Sequence, residues 1–227
     1  MEQPRKKLLN ILAEGGMSIK DLASNLNASE ATVRRALKPL IEEGSISYYR
    51  GKVTLKKHIE NTIMQKITIE DGIEEKIDMA KQAAVHLVGG EIVFIDGSNI
   101  CKYLLPELVT KKPRLVVTNS TELCAELAGI GIITKLTGGD YDPFTKCVSG
   151  CESIKFISSF NFDVAFMSAK GINENFITDT EEELAALMRT VTEHSRKSVF
   201  LMPKAAHDKS YSYVISDVDC ITVISEK

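Results

Sequence analysis

The sequence has no uninterrupted apolar run of about 18 residues, the least that crosses a bilayer core, so no membrane span is expected. Arg5, Lys6 and Lys7 are followed by an amphipathic pattern rather than an apolar signal-peptide core, and the expected location is therefore the cytoplasm. Cysteine is scarce and odd in number: five, at positions 101, 124, 147, 151 and 220. Cys147 and Cys151 are spaced CxxxC, without a nearby histidine or a second cysteine pair. Zinc coordination is the alternative there; reduced, packed thiols and no metal are the expectation. No Walker or dinucleotide-binding glycine motif occurs, and there is no internal repeat or low-complexity tract. Neither a catalytic residue nor a cofactor is expected.

What is present is enough for two domains. The chain has 227 residues and 44% hydrophobic content, which supports a real core. Its net charge of −3 is unevenly shared: residues 1–58 hold 11 Lys and Arg against 6 Asp and Glu, a net of +5, while residues 59–227 hold 17 against 25, a net of −8. A basic head on an acidic body implies that only the head meets a polyanion.

The head is organised around Ser29 to Gly44. Ser29 is a natural N-cap, because its hydroxyl can accept a free N–H of the first helical turn. Val33, Leu37, Leu40 and Ile41 fall at helical spacing and form an apolar stripe, while Thr32, Arg34, Arg35 and Lys38 lie on the other faces. Gly44 is a stop signal. Polar early residues and an arginine pair suit a recognition helix, which reads base edges and phosphates in the major groove. A solvated charged face is the plainer alternative. Pro39 removes the bond to the Arg35 carbonyl and predicts a local kink.

The neighbours favour the first reading. Pro4 to Glu14 forms a first helix, and Ser18-Ile-Lys-Asp21 opens a second with a capping-box pattern. The order is that of a helix-turn-helix. Two short β-prone runs, Ser45 to Arg50 and Val53 to Leu55, flank Gly51-Lys52 and read as the hairpin of a winged helix. Arg50, Lys52, Lys56 and Lys57 would line that wing for phosphate contact. Residues 58–72 are linker-like in charge, and their isoleucines suit a helix or a strand.

From Glu74 onward helices alternate with near-continuous apolar strands at 91–95, 114–118, 131–136, 163–167, 198–202 and 220–224. The intervening helices are expected at 100–108, 121–128, 149–160 and 181–193. This pattern predicts a mostly parallel α/β sheet covered on both faces. In such sheets ligands bind outside the carboxyl ends of the strands. Those ends are rich in small polar residues: Asp96-Gly97-Ser98-Asn99, Thr118-Asn119-Ser120, Thr137-Gly138-Gly139-Asp140 and Ser168-Ala169-Lys170-Gly171. Glycines let backbone approach an anion, hydroxyls and amides can bind sugar or phosphate oxygens, and Lys170 can pair with phosphate. Ordinary strand-to-helix capping uses the same residues. Four such loops on one sheet edge make a pocket the expectation.

Thr32-Val-Arg-Arg-Ala-Leu37, preceded by Ser29, resembles the SxxTxRRDL motif of the DeoR-type bacterial transcription regulators, with Ala36 where Asp is usual. The second half is similar to their sugar-phosphate sensor domain. The matching pieces are Ala83-Ala84, Phe94-Ile-Asp-Gly-Ser-Asn99, Thr118-Asn-Ser120, Gly138-Gly139 and Asp163-Val-Ala-Phe-Met167 with Gly171. The resemblance implies a winged helix-turn-helix over residues 1–58. It also implies an effector and oligomerisation domain over 59–227, with a fold akin to ribose-phosphate isomerases and CoA transferases. It further implies a cytoplasmic, oligomeric repressor of carbohydrate genes that binds a double-stranded DNA operator and responds to a phosphorylated sugar or related metabolite. Ser29, Thr32, Arg34 and Arg35 would contact DNA. The effector loops would be Asp96 to Asn99, Thr118 to Ser120, Gly138-Gly139 and Lys170-Gly171.

The chain departs from the family pattern in places. Lys170 stands where an acid is usual, Gly51 replaces a Gly-Gly pair, and the D-x-S-K-like run near the C-terminus has no clean counterpart in 201–209. These departures favour a second reading, a regulator that has lost its pocket. A third reading, a sugar-phosphate isomerase on the shared fold, needs a carboxylate base; Asp96 and Asp140 are the candidates, and Lys170 replaces the acid that would suit it best.

Overall fold

The computed structural model describes residues 2–13, 15–49, 52–55 and 73–226. They fall into two compact units, each with its own apolar core. The boundary expected after residue 58 lies outside the described residues, as does the helix-or-strand expectation for 58–72.

The N-terminal unit contains α1 (Glu2–Ala13), α2 (Ile19–Leu26) and α3 (Glu30–Glu42), then a hairpin of β1 (Ile46–Tyr49) and β2 (Lys52–Leu55). Ser18 caps α2: its hydroxyl accepts from the Asp21 N–H at 3.1 Å and donates to the Asp21 carboxylate at 2.7 Å. Asn27 takes a left-handed conformation, φ 49°, and so ends α2 and turns the chain into α3. Ser29 then caps α3 by accepting from the Thr32 N–H at 3.2 Å. Leu8, Leu12, Leu22, Val33, Leu37, Leu40, Ile46 and Val53 form the core. Met17 pairs with Val53 through two backbone bonds of 2.9 and 2.7 Å, fastening the hairpin beside α2. One expectation changes here: Ile41 is exposed rather than part of the buried stripe. Pro39 lies inside α3, which continues to Glu42.

The C-terminal unit opens with α4 (Ile73–Ala84) and continues with β3 (Ile92–Ile95), a 3-10 turn (Cys101–Leu104), α5 (Leu105–Lys111), β4 (Leu115–Thr118), α6 (Thr121–Gly129) and β5 (Thr134–Leu136). Then come β6 (Asp140–Asp142), β7 (Cys147–Ser149), α7 (Cys151–Ile157), β8 (Val164–Met167), β9 (Gly171–Ile172) and β10 (Phe176–Asp179). The chain ends with α8 (Glu182–Glu193), β11 (Ser198–Met202), β12 (Tyr213–Asp217) and β13 (Thr222–Ser225).

The main sheet runs β13-β11-β8-β3-β4-β5, with every pair parallel. All four residues of β8 and three of four in β3 are buried. Successive strand residues point to opposite faces, so both faces of the sheet are covered. Phe94, Phe162, Phe166 and Phe200 are the largest of the fully buried side chains among the described residues, and Phe94 meets Phe162 edge-on at 5.7 Å.

Several expected elements differ in extent, for local reasons. The helix expected over 100–108 is a 3-10 turn followed by α5, whose start is set by Pro106 in its first turn. The strand expected from residue 131 begins only at Thr134. The helix expected from Ser149 begins at Cys151, because Ser149 belongs to β7 and Gly150, at φ 95°, makes the turn. Two pieces have no counterpart among the expected elements: the β6–β7 hairpin, and a three-stranded antiparallel sheet of order β12-β10-β9. Of the cysteines, all free, Cys151 and Cys220 are exposed rather than packed.

Candidate functional site

Two surfaces concentrate the candidate residues, one in each unit. On α3, Ser29, Thr32, Arg34, Arg35 and Lys38 are all exposed, opposite the buried Val33, Leu37 and Leu40. Arg34 lies 3.8 Å from Glu30 and Lys38 3.9 Å from Glu42, weak i,i+4 pairs that leave the cations accessible. Arg35 has no ion pair among the described residues. Lys52 is exposed at the start of β2, and Arg50 lies outside the described residues. The helix thus separates an apolar packing face from a cationic outer one.

The second surface is a cavity of about 640 Å³ at the carboxyl ends of the parallel strands. Asp96 follows β3 and is buried. Its Oδ1 accepts from the Ser98 N–H at 3.0 Å and from the Ser98 hydroxyl at 2.6 Å, and its Oδ2 from the Ser168 N–H at 2.8 Å. Burial raises its pKa from the ordinary aspartate value, against the hydrogen bonds that would lower it. Asn119, after β4, accepts from the Gly97 N–H at 3.0 Å. Three neighbouring strand ends are therefore tied together by two side chains. Asp96, Gly97, Ser98, Asn99, Asn119 and Lys170 all line the cavity.

Thr118, Ser120, Gly138, Gly139 and Gly171 do not line it. Ser120 caps α6 through its hydroxyl, which accepts from Leu123 N–H at 3.2 Å, and Thr118 accepts from Ser120 N–H at 3.1 Å. Gly139 has φ 115°, and a Cβ there would fall on the Ser149 carbonyl oxygen. At Gly171 a Cβ would lie 2.7 Å from both the Lys209 carbonyl and Thr178 Oγ1. These glycines permit close backbone packing beside the cavity.

The β6–β7 hairpin and the segment before α8 supply further lining residues, beyond the loops expected from the sequence. Asp142, Phe144, Thr145, Lys146 and Cys147 come from the hairpin; Asp179 and Glu181 precede α8. The one sequence signal for the hairpin is its turn: Asp142-Pro143, with Asp142 accepting from Phe144 N–H at 2.8 Å and from the Thr145 hydroxyl at 2.7 Å. Phe144 stands 95% exposed at the tip. The Cys147 sulfur packs where a Cβ on Gly97 would be, and burial, aided by the nearby Asp96, pushes its thiol up to about 11. Both lining lysines are paired: Lys146 with Glu122, and Lys170 with Glu181 at 2.6 Å. Among the described residues no group of three His, Cys, Asp or Glu is arranged to hold a metal ion. No helix among them is long and apolar enough to cross a membrane.

Comparison with known proteins bears on both surfaces. Residues 1–46 match a family of winged helix-turn-helix DNA-binding domains, and residues 71–227 match the DeoR C-terminal sensor domain. The chain is 27% identical over 201 residues to the HTH-type transcriptional regulator GlpR of Haloferax volcanii, covering 87% of this chain and 78% of that one. It is 28% identical over 202 residues to the regulator IolR of Bacillus subtilis, covering 88% and 78%. To the lactose phosphotransferase system repressor of Lactococcus lactis it is 26% identical over 211 residues, covering 90% and 82%. Among solved structures it is similar to ribose 5 phosphate isomerase A of Neisseria gonorrhoeae (14% identity, TM-score 0.42, 59% of this chain and 53% of that one). It is also similar to eIF2B delta of Chaetomium thermophilum (17%, 0.49, 67% and 55%), so it spans about half the length of these two solved chains. With its sensor-domain match running over more than half of its length behind a winged helix-turn-helix, the chain belongs to the DeoR family of DNA-binding transcriptional regulators, whose sensor domain answers to a small-molecule effector.

Proposed function

We propose that the chain is a cytoplasmic, homo-oligomeric repressor of carbohydrate-metabolism genes that loses its hold on a double-stranded operator when a phosphorylated sugar or related metabolite fills the strand-end cavity. The observation that carries this reading is the convergence of six of the expected effector residues on one 640 Å³ cavity. Small-molecule sites are commonly of that size, with a few placed polar groups. Ser98, Asn99 and Asn119 offer hydroxyl and amide groups for sugar oxygens, and Lys170 is the cation for an anionic group. Thr118, Ser120, Gly138, Gly139 and Gly171 support the loops rather than touch the ligand. Ser29, Thr32, Arg34, Arg35 and Lys38 face the major groove, and Arg50 and Lys52 meet phosphates. The names of the relatives, one of them a lactose phosphotransferase system repressor, favour a sugar-related effector.

We propose no catalysis at the cavity. Both oxygens of Asp96 already accept hydrogen bonds from Ser98 and Ser168, which makes it a scaffold for the strand ends rather than a free base. A second reading, a regulator blind to phosphate, draws support from the pairing of Lys170 with Glu181.

The test is to select an operator from random-sequence DNA with the full chain. Fluorescence anisotropy on that operator then follows a panel of phosphorylated sugars and polyols. One chemical class should weaken binding at least tenfold. A protein that enriches no consensus is not a sequence-specific regulator, and one whose affinity no compound alters is ligand-blind.

A further inference from the structure

Every cation lining the effector cavity already has a counterion. Lys170 is the better held of the two lysines. Its ammonium donates to Glu181 Oε1 at 2.6 Å and to Thr180 Oγ1 at 2.8 Å, and lies 3.8 Å from Asp179 Oδ1. These acceptors differ in what else they do. The Asp179 side chain is 2% exposed; its Oδ1 accepts from the N–H groups of Thr180 and Glu181 at 2.7 and 3.2 Å, and its Oδ2 from the Lys170 N–H at 3.3 Å. Moving it would orphan backbone donors at the start of α8. The Glu181 side chain is 53% exposed, and its one partner among the described residues is Lys170. It can leave without stranding a buried group.

We propose that Glu181 is a resident competitor for the effector's anionic group: its carboxylate occupies Lys170 in the empty cavity, and a phosphate takes its place while Asp179 and Thr180 keep the ammonium in position. This rests on the reading that the effector is phosphorylated. A phosphate near neutral pH carries more charge than a carboxylate and three acceptor oxygens, so it wins the exchange at modest concentration. A neutral sugar has nothing to exchange, so the competition falls on anionic ligands alone and sets the concentration at which a phosphorylated effector is held. Lys146 is less suited to the same exchange, because among the described residues Glu122 is its one side-chain hydrogen-bond partner, with no second acceptor to hold the ammonium once Glu122 left.

The test uses the full-length protein at low salt, with inorganic phosphate and glucose 6-phosphate as probes in isothermal titration calorimetry. Glu181→Gln should bind both about two- to fivefold more tightly than wild type, the equivalent of an exposed ion pair. Glu182→Gln removes the same charge one residue on and should change affinity less than about 1.5-fold. Lys170→Met should lose phosphate binding, and adding Glu181→Gln to it should restore none. Circular dichroism and urea unfolding of each variant show that it is folded. The proposal is overturned if Glu181→Gln gains no more than Glu182→Gln, or if its gain survives in the double variant. Wild-type binding of glucose 6-phosphate without that gain would remove the competitor and leave the phosphorylated effector standing. Absence of phosphate and sugar-phosphate binding in wild type and Glu181→Gln alike would remove both.

Discussion

Asp96 and Ser168 lie 72 residues apart in the chain, yet the Ser168 N–H donates to the Asp96 carboxylate at 2.8 Å. The bond joins the ends of β3 and β8. With the Asn119 link to Gly97 it gives the cavity a floor set by side chains rather than by loop conformation. Asp96→Asn keeps the shape but puts an NH2 where an acceptor is needed, and should cost about 1–3 kcal/mol. Linkage sets the pH dependence. Burial raises the Asp96 pKa above its ordinary 3.8, so the folded state binds this proton more tightly than the unfolded chain. The contribution of this group to stability therefore grows as pH falls through the raised value. The gap in urea midpoint between wild type and Asp96→Asn should widen on acidification; a gap that narrows would contradict the burial effect.

Arg35 and Leu37 are two residues apart on α3 and should behave oppositely. Arg35→Ala leaves stability within about 0.5 kcal/mol, because the side chain is exposed and unpaired among the described residues. It should weaken operator binding and shallow the salt slope by about 1. Leu37→Ala opens a hole in a fully buried site and should cost about 2–5 kcal/mol in urea unfolding. Unchanged DNA binding by Arg35→Ala across a salt titration would count against α3 as the DNA-reading helix.

Phe144 stands at the cavity rim with its ring in solvent. Phe144→Ala should leave the unfolding midpoint unchanged and weaken the effective sugar phosphate about three- to tenfold in a thermal-shift titration, as a lost aromatic contact would. Equal affinity for the two proteins would place the ligand away from the hairpin tip.

Cys147 lines the same cavity, and its thiol is pushed up to about 11. At pH 8 only about one part in a thousand is thiolate. Iodoacetamide should therefore label the exposed Cys220 first. Labelling of Cys147 should rise about tenfold per pH unit between pH 8 and 10, and bound effector should slow it. Peptide mass spectrometry reads both; fast labelling of Cys147 at pH 8 would show that it is not shielded.

The helices α2 and α3 were legible because their structure is written in local signals. Ser18 and Ser29 cap them, and Leu37 and Leu40 fall at helical spacing. The parallel strands were legible for a similar reason: a strand buried on both faces must be an apolar run, as Val164–Met167 is. The six cavity residues at the ends of β3, β4 and β8 follow from those strands.

What only the tertiary structure decided is which residues meet across long separations. The β6–β7 hairpin is short and polar, and it acquires its role by folding over Gly97, which no periodicity encodes. Lys170, read in sequence as a partner for phosphate, owes its environment to Asp179 and Glu181, brought round by the β9–β10 turn. Ser120 is a serine like Ser98, but its hydroxyl caps α6, and the Thr118 hydroxyl accepts from the Ser120 N–H; neither lines the cavity. Local signals determine elements, because a cap or a stripe acts within a few residues. The charge and reach of the site depend on strand order and on which side chain another one already holds.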